Sequence, residues 1–396
     1  MARVVPFRAL RPNADHVEDV VCLPYDVIST AEARAMAEGK PGSFLHVIRP
    51  EIAFAPGFDE HADEVYAQGA SALRACASSG RWTDAPAALY VYRLTMAGRD
   101  QVGVFGCVSV EEYDAGDIVR HEKTRVDKED DRTRHILTQR AHAEPVMLTY
   151  RDDAAVTAIV DATISTAPLY DLDGPHDVRH TLWEVADSTA LARAFESVKR
   201  LYVADGHHRC KAASRAAAAL REPASAESRV FPAVVFPMSA MHVMAYNRVA
   251  RVEAPDAFFA ALEAIAPLEE GAPQPPGPGE VSIYDGREWR TFTLPDAAGG
   301  AVRDALDVAR LQDHVLAPLL GIDDPRTSER VAFVGGIRGT DALERLVDAG
   351  DWDVAFSMHP TSIAELLDVS DAGELMPPKS TWFEPKLLSG FLAHRF

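Results

Sequence analysis

The run from Leu201 to Leu220, LYVADGHHRCKAASRAAAAL, restricts the fold of this chain more than any other. Its first four residues read as a buried strand, Asp205-Gly206 as a tight turn, and the alanine-rich remainder as a strong helix former. A preceding helix, TALARAFESV with Ser188 as its cap, completes the order helix, strand, turn, helix. An α/β phosphate site uses that order, because the N–H groups and dipole of the second helix converge where the strand stops.

An anion belongs at that point. Gly206 lets it approach the backbone, Arg209 can donate two parallel hydrogen bonds, and His207 and His208 add donors whose charge is tunable near neutral pH. Asp205 is costly beside a phosphate unless it carries a metal ion or accepts a proton. Two other readings compete. One is an ordinary Asp-Gly turn with incidental histidines; the other, zinc on the His pair, lacks a matching Cys or His spacing downstream.

Elsewhere the chain alternates. A strand-like run over Val20–Leu23 stops at Pro24, and Ser29 or Thr30 caps a short helix through Glu38. Apolar spacing predicts a helix from Glu60 to Ala77, and two β-rich runs flanking Ala97-Gly98-Arg99-Asp100 predict a hairpin. Residues 120–135 hold six Lys or Arg, five Asp or Glu and two His, which excludes most of them from a core; a helix starts near Asp130 or Asp131 and runs to about Ala141. PVMLTY, VFPAVVFP and MHVMAYNRVARV read as extended. A hairpin at Asp285-Gly286 follows, then helices at Val308–Leu319 and Thr340–Ala349, and a capped helix from Thr361-Ser362.

The predicted fold class is α/β, a mixed α+β structure. At 396 residues the chain exceeds the usual size of one core. The proline- and glycine-rich stretch GAPQPPGPG marks a linker or surface loop at 266–280, between a phosphate-binding core at 1–265 and a C-terminal α+β subdomain at 281–396. Sixty acidic against 40 basic residues give a formal charge of -20, which opposes nucleic-acid binding. Four scattered cysteines, no apolar leader-like segment and no run of 18 apolar residues point to a cytoplasmic protein with no membrane partner. Assembly into a homo-oligomer is compatible with this reading.

Three further groups mix acid, base and cation. Pro24-Tyr25-Asp26 lies on a strand-to-helix connection. Arg120-His121-Glu122-Lys123-Thr124 stands near Asp131-Arg132, where a solvated charged loop is the plainer reading. In the tail MPPKSTWFEPKLLSG, Lys379, Ser380, Thr381 and Lys386 sit among prolines that stiffen the backbone, against the plainer reading of a segment docked by Trp382 and Phe383.

LPYDVIS at 23–29, RHEKT at 120–124 with DR at 131–132, ADGHHR at 204–209 and MPPKSTWFEPKLLSG at 376–390 together resemble the bacterial DUF1015 family of unknown function. The ADGHHR element also resembles the phosphate-binding turn of the ParB and sulfiredoxin-like superfamily, which includes free-serine kinases using ADP or ATP. The resemblance implies a ParB-like nucleotide-binding core with a large insertion, since about 180 residues separate Asp26 from Asp205. It implies that Gly206, His207, His208 and Arg209 hold nucleotide phosphates, and that Asp205 contacts Mg2+ or the reacting hydroxyl. Asp26 and Glu122 are alternatives for the catalytic carboxylate, with Tyr25, Arg120, His121, Thr124, Arg132, Lys379, Ser380, Thr381 and Lys386 as substrate or phosphate contacts.

Two functions follow from these readings. One is a phosphotransferase acting with ATP or ADP on the hydroxyl of a small metabolite, free L-serine first among them, or the reverse reaction on phosphoserine. The other is a non-catalytic nucleotide-binding or sensor protein. Spare carboxylates beside a phosphate turn favour the enzyme, because they repel the ligand unless chemistry or a metal uses them.

Overall fold

The structure, a computed structural model, describes residues 3–220 and 226–396. It divides into two compact units. The first takes Met1–Arg120, Thr124–Met241 and Pro385–Phe396; the second takes His121–Lys123 and His242–Glu384. The architecture is mixed α+β.

The first unit is built on a nine-stranded mixed sheet. Tyr90–Met96 and Arg99–Ser109 form its central hairpin, and Ala97 and Gly98 both take positive φ, the requirement of a two-residue turn matching strand twist. Val230–Pro237 runs antiparallel to Arg99–Ser109 and parallel to Val146–Tyr150, and Leu201–Asp205 pairs antiparallel with Val146–Tyr150. Leu201–Asp205 thus lies near one edge, flanked outside only by the short Ile118–Val119. Val91, Val104, Leu148, Leu201, Val203 and Val235 are wholly or almost wholly buried in one cluster that also takes Val156 and Leu191 from two helices. Leu89 N–H is satisfied by Ser188 Oγ. Ser188 is therefore not the cap of its helix; Asp187 accepts from Ala190 N–H instead.

A four-stranded sheet in the same unit has the order Trp82–Ala88, Phe7–Pro12, Ala393–Arg395, Ala141–His142. The last residues of the chain thus return to the first unit and carry Pro385–Leu392 with them. Val20–Leu23 departs from the predicted strand: Val17–Val20 is a short helix, and Cys22 alone bridges Ser389.

In the charged segment most residues stay out of the core, as expected, but several do not. Its helix is Val126–Gln139, one turn earlier than expected, and Glu129, Asp131, Arg132, Thr133 and His135 are buried while Val126 is 67% exposed. Burial is tolerable because the charges are matched: Arg132 donates to Asp131 at 2.9 and 2.7 Å, Tyr66 hydroxyl donates to the same carboxylate at 2.8 Å, and Arg215 reaches Glu129 at 3.1 Å. Burial alone would raise the Asp131 carboxyl, but Arg132 and His135 hold it down to about 2.

The second unit is built on a six-stranded antiparallel sheet with Glu280–Tyr284 and Val354–Met358 at its centre and Tyr246–Ala250 between Val354–Met358 and the edge strand Val331–Gly335. Val249, Leu343, Ala355 and Trp289 form its core. Residues 266–280, read from the sequence as a linker or surface loop, lie inside this unit. Glu269–Glu270 pairs with Trp289–Thr293, and Gly279 N–H is held by Asp307 at 2.8 Å. The stretch itself has no regular element between Gly271 and Gly279, as its composition dictates; the chain passes between units at Met241–His242 and Glu384–Pro385.

Candidate functional site

Leu201–Asp205 ends in Gly206, whose φ of 97° lies in the left-handed region, and the helix His207–Ala219 begins at once. Among the described residues no side chain caps that helix, so its first N–H groups have no capping partner. A Cβ at position 206 would meet Val146 Cγ1 and Arg209 Nε, each at 3.1 Å, so both φ and space call for glycine here. His207 is buried and His208 partly so. His208 Nε2 accepts from Arg125 N–H at 3.1 Å, and burial lowers its pKa, so it stands neutral.

Arg209 is the centre of the site, with a side chain only 10% exposed. It donates to Pro145 carbonyl, and its NH2 lies 3.4 Å from Asp26 Oδ2 and 3.9 Å from Asp205 Oδ2. Among the described residues its buried Nε–H has no hydrogen-bond partner. Burial disfavours the guanidinium charge, but Asp26, Asp205 and Glu144 outweigh it and raise the pKa. Asp205 also receives Lys386 Nζ at 3.1 Å. Burial would push the Asp205 carboxyl up, yet Lys386 and Arg209 hold it well below the usual carboxylate range.

The turn Pro24–Asp26 is positioned from behind. Ser29 caps Thr30–Ala37 through a capping box with Glu32, fixing where the chain turns. The buried Tyr25 ring lies under the Arg132 guanidinium at 4.0 Å. Tyr25 N–H donates to Glu144 Oε1 at 3.1 Å, Ser389 Oγ donates to the same oxygen at 3.1 Å, and Arg49 NH1 reaches Tyr25 carbonyl at 3.4 Å. Burial pushes the Glu144 carboxyl up, partly offset by Arg209 and Arg132. Asp26 itself is exposed.

Asp26, Tyr25, Arg132, Asp205, Gly206, Arg209 and Lys386 are thus brought into one network in the first unit. Glu144, Arg49 and Ser389 were not foreseen, because a single Glu before a strand and a Ser at the end of a motif carry no local signal. Thr124 and Arg120 stay in the first unit with other partners: Thr124 Oγ1 donates to Glu129 at 2.5 Å, and Arg120 hydrogen-bonds to Tyr113. His121 and Glu122 belong to the second unit, where His121 carbonyl accepts from Met376 N–H at 2.8 Å. Lys379, Ser380 and Thr381 belong there too. Lys379 Nζ lies 5.5 Å from the centre of the Tyr246 ring, and Ser380 Oγ donates to Pro377 carbonyl at 2.7 Å. Of the tail motif, only the part from Pro385 onward serves the first unit.

A cavity of about 40 Å³ lies behind the network, lined by Arg132, His135, Glu144 and Arg209. It has room for about one water and none for a nucleotide, so a ligand of that size must meet the open side where Asp26 is exposed. Among the described residues no group of three or more His, Cys, Asp or Glu is arranged to hold a metal ion. Among the described residues no helix is long and apolar enough to cross a membrane either.

Among solved structures, SbnI with a C-terminal truncation from Staphylococcus aureus is 14% identical, with 72% of this chain and 85% of that chain covered and a TM-score of 0.38. A mutant of free serine kinase in complex with ADP is 12% identical, covering 72% and 89%, with a TM-score of 0.36. A conserved hypothetical protein from Pyrococcus furiosus is 13% identical, covering 70% and 90%, with a TM-score of 0.35. No curated protein matches the chain. A family model does match, over a span that contains LPYDVIS, RHEKT and ADGHHR and stops before MPPKST. The chain belongs to the family described as "Protein of unknown function (DUF1015)", whose model covers residues 4–309.

Proposed function

We propose that this protein is a nucleotide-dependent phosphotransferase acting on the hydroxyl of a small metabolite, with free L-serine the first acceptor to test. The observation that carries the proposal is Arg209, buried at the strand-to-helix turn, held between Asp26 and Asp205, with its Nε–H unpartnered beside Gly206. Phosphoryl transfer needs cations on the phosphoryl oxygens and a carboxylate for the hydroxyl proton. Arg209 and Lys386 supply the cations, with the turn N–H groups beside them.

Asp26 is the carboxylate best suited to take the proton, being exposed and only loosely paired. Glu122 is the alternative for that role. Mg2+ commonly takes one or two carboxylates with phosphate oxygens and water completing its shell, and Asp205 with Asp26 fits that requirement without a larger ligand cluster. The ion would neutralise phosphate charge. Arg209 would orient the phosphates, and the Tyr25–Glu144–Ser389 contacts would keep Asp26 in position. The ParB-like character of the turn, the cytoplasmic setting and the direction of reaction belong to the same proposal.

One observation favours the second reading, a nucleotide sensor. Asp205 is already compensated by Lys386 and Arg209, so its presence beside a phosphate turn has a structural use without metal or catalysis. Phosphorus NMR of the protein with magnesium, ATP or ADP and a panel of hydroxyl metabolites separates the two. The enzyme forms or breaks down a phosphomonoester, and Asp205→Asn with either Asp26→Asn or Glu122→Gln loses turnover while retaining nucleotide. Tight nucleotide binding with no turnover on the whole panel, strengthened by Asp205→Asn, establishes the sensor instead.

A further inference from the structure

The second unit carries an arginine with no counter-ion. Arg248 lies on the strand Tyr246–Ala250, is 3% exposed, and makes no ion pair with any carboxylate among the described residues. Its guanidinium donates to Tyr246 carbonyl and to Lys379 carbonyl, the latter at 3.0 Å, and its Cζ lies 5.4 Å from the centre of the Phe333 ring. Two carbonyl dipoles and a ring face compensate a charge only partly. Burial accordingly pushes this group down to about 10, the opposite of the direction taken by the paired Arg209 and Arg132. A buried cation left this way is expensive, and proteins ordinarily provide it with a carboxylate.

Arg248 faces a pocket of about 300 Å³, the lower end of the range for small-ligand sites. Val308, Leu316 and Phe333 supply apolar wall, Pro377 and Pro378 close another side, and Asp323, Asp324 and Arg326 complete the lining, with Asp324 paired to Arg326 at 2.7 Å. Gln312 lines the same pocket. Its Nε2 donates to Ile322 carbonyl at 2.6 Å, which fixes the amide, while its Oε1 is buried with no donor among the described residues. The lining thus includes, besides the Asp324–Arg326 pair and Asp323, one cation without a counter-ion and one acceptor without a donor among the described residues.

The backbone around it is unusual in two places. Gln312–Leu316 is a single π-helical turn between the α-helical segments Asp307–Leu311 and Ala317–Leu320, a distortion found often at functional sites. Lys379, whose carbonyl accepts from Arg248, has a φ of 58°, a conformation that costs a non-glycine residue energy unless the surroundings impose it. Thr361 Oγ1 to Ser380 carbonyl, 3.0 Å, helps to hold the loop in that shape. The MPPKST segment thus contributes prolines and a backbone carbonyl here.

We propose that this pocket binds a small carboxylic acid carrying an N–H or O–H donor, the class of amino and hydroxy acids, with the carboxylate on Arg248 and the donor on Gln312 Oε1. An inorganic anion satisfies only the first group. An amine satisfies only the second. The proposal stands apart from the reaction assigned to the first unit and needs nothing from it.

The test is calorimetric titration of the full chain, without nucleotide, using glycerate and L-serine, with propionate and inorganic phosphate as comparators. Glycerate or L-serine binds saturably, and Arg248→Met weakens that affinity at least tenfold. Gln312→Met removes the preference for glycerate over propionate. Where the Arg248→Met protein does not fold, Arg248→Lys retains the charge without the planar fork, and a several-fold loss is expected. Absence of saturation by every carboxylate, an affinity indifferent to both Arg248 variants, or Arg248-dependent binding of phosphate alone overturns the assignment.

Discussion

Lys386 Nζ stands 3.1 Å from Asp205 Oδ2 across 181 positions of sequence, at the residue where the strand Leu201–Asp205 ends. The two side chains are 15% and 28% exposed, so solvent screens the pair only in part. The contact ties the returning C-terminal segment to the turn at Asp205-Gly206, and it decides which electrostatic partner the carboxylate of that turn has.

Removing the cation by Lys386→Met should therefore lower stability by about 1 to 3 kcal/mol at neutral pH, the usual cost of a charged hydrogen bond lost from a shielded site. The folded Asp205 carboxyl is held below its unfolded value, so the pair adds stability above about pH 4 and loses it as pH falls through the folded pKa. Urea denaturation followed from pH 7 to pH 3 should show the variant losing its remaining stability at a higher pH than the native protein. Coincident acid limbs would remove Lys386 from this role.

Arg209→Ala should weaken nucleotide binding at least tenfold, since a charge-assisted contact to phosphate contributes roughly 1.5 to 3 kcal/mol. Calorimetry with Mg2+ and ADP or ATP reads this directly. Arg209→Lys should recover only part of it, because an ammonium cannot reproduce the planar fork that spans Pro145 carbonyl, Asp26 and Asp205. Equal affinity in the native protein and the Ala variant would move the phosphate site elsewhere.

Glu144 offers a contrast between two substitutions. Gln retains an acceptor for Tyr25 N–H and Ser389 hydroxyl, whereas Ala leaves both donors unmet and should cost about 1 to 3 kcal/mol. Because burial raises the folded Glu144 pKa, the acid contributes most stability below its unfolded pKa and loses that contribution as pH rises through the folded value. Glu144→Gln should thus be at least as stable as the native protein at pH 8, and less favoured relative to it at pH 4. Thermal melts at the two pH values check the ordering.

Gly206→Ala should be destabilising by about 1 to 2 kcal/mol, since an L side chain at positive φ is strained and the new Cβ crowds Val146 and Arg209. A melting temperature unchanged within error would show that the turn relaxes without penalty. Loss of nucleotide affinity beyond that of a merely less stable protein would follow from displacement of the Arg209 side chain, and titration below the melting range separates the two effects.

Much of the local structure was legible in the sequence. The turn at 205–206, the hairpin at Ala97-Gly98 and the capping boxes at Ser29 and Ser362 are each specified within a few residues, through backbone freedom, strand alternation and cap chemistry. Asp26 and Arg209 were each given a role by their motifs, and the 3.4 Å contact between them spans 183 positions. Most of residues 120–135 do stay out of the core, but the helix Val126–Gln139 starts a turn early and buries several charges whose partners lie elsewhere in the chain. Asp131 is buried beside Arg132 and Tyr66, and Tyr66 lies 65 positions away.

What the amino-acid order determined by itself was therefore the set of turns, caps and periodic elements, whose energies come from neighbours along the chain. The tertiary structure alone decided that Pro385–Phe396 returns to the first unit, that RHEKT is divided between units after Arg120, and that Lys379 presents its carbonyl to Arg248 while Lys386 presents its ammonium to Asp205. Those outcomes depend on matching buried charges and closing sheets across hundreds of residues, and no spacing within a motif encodes which distant partner a charge will meet.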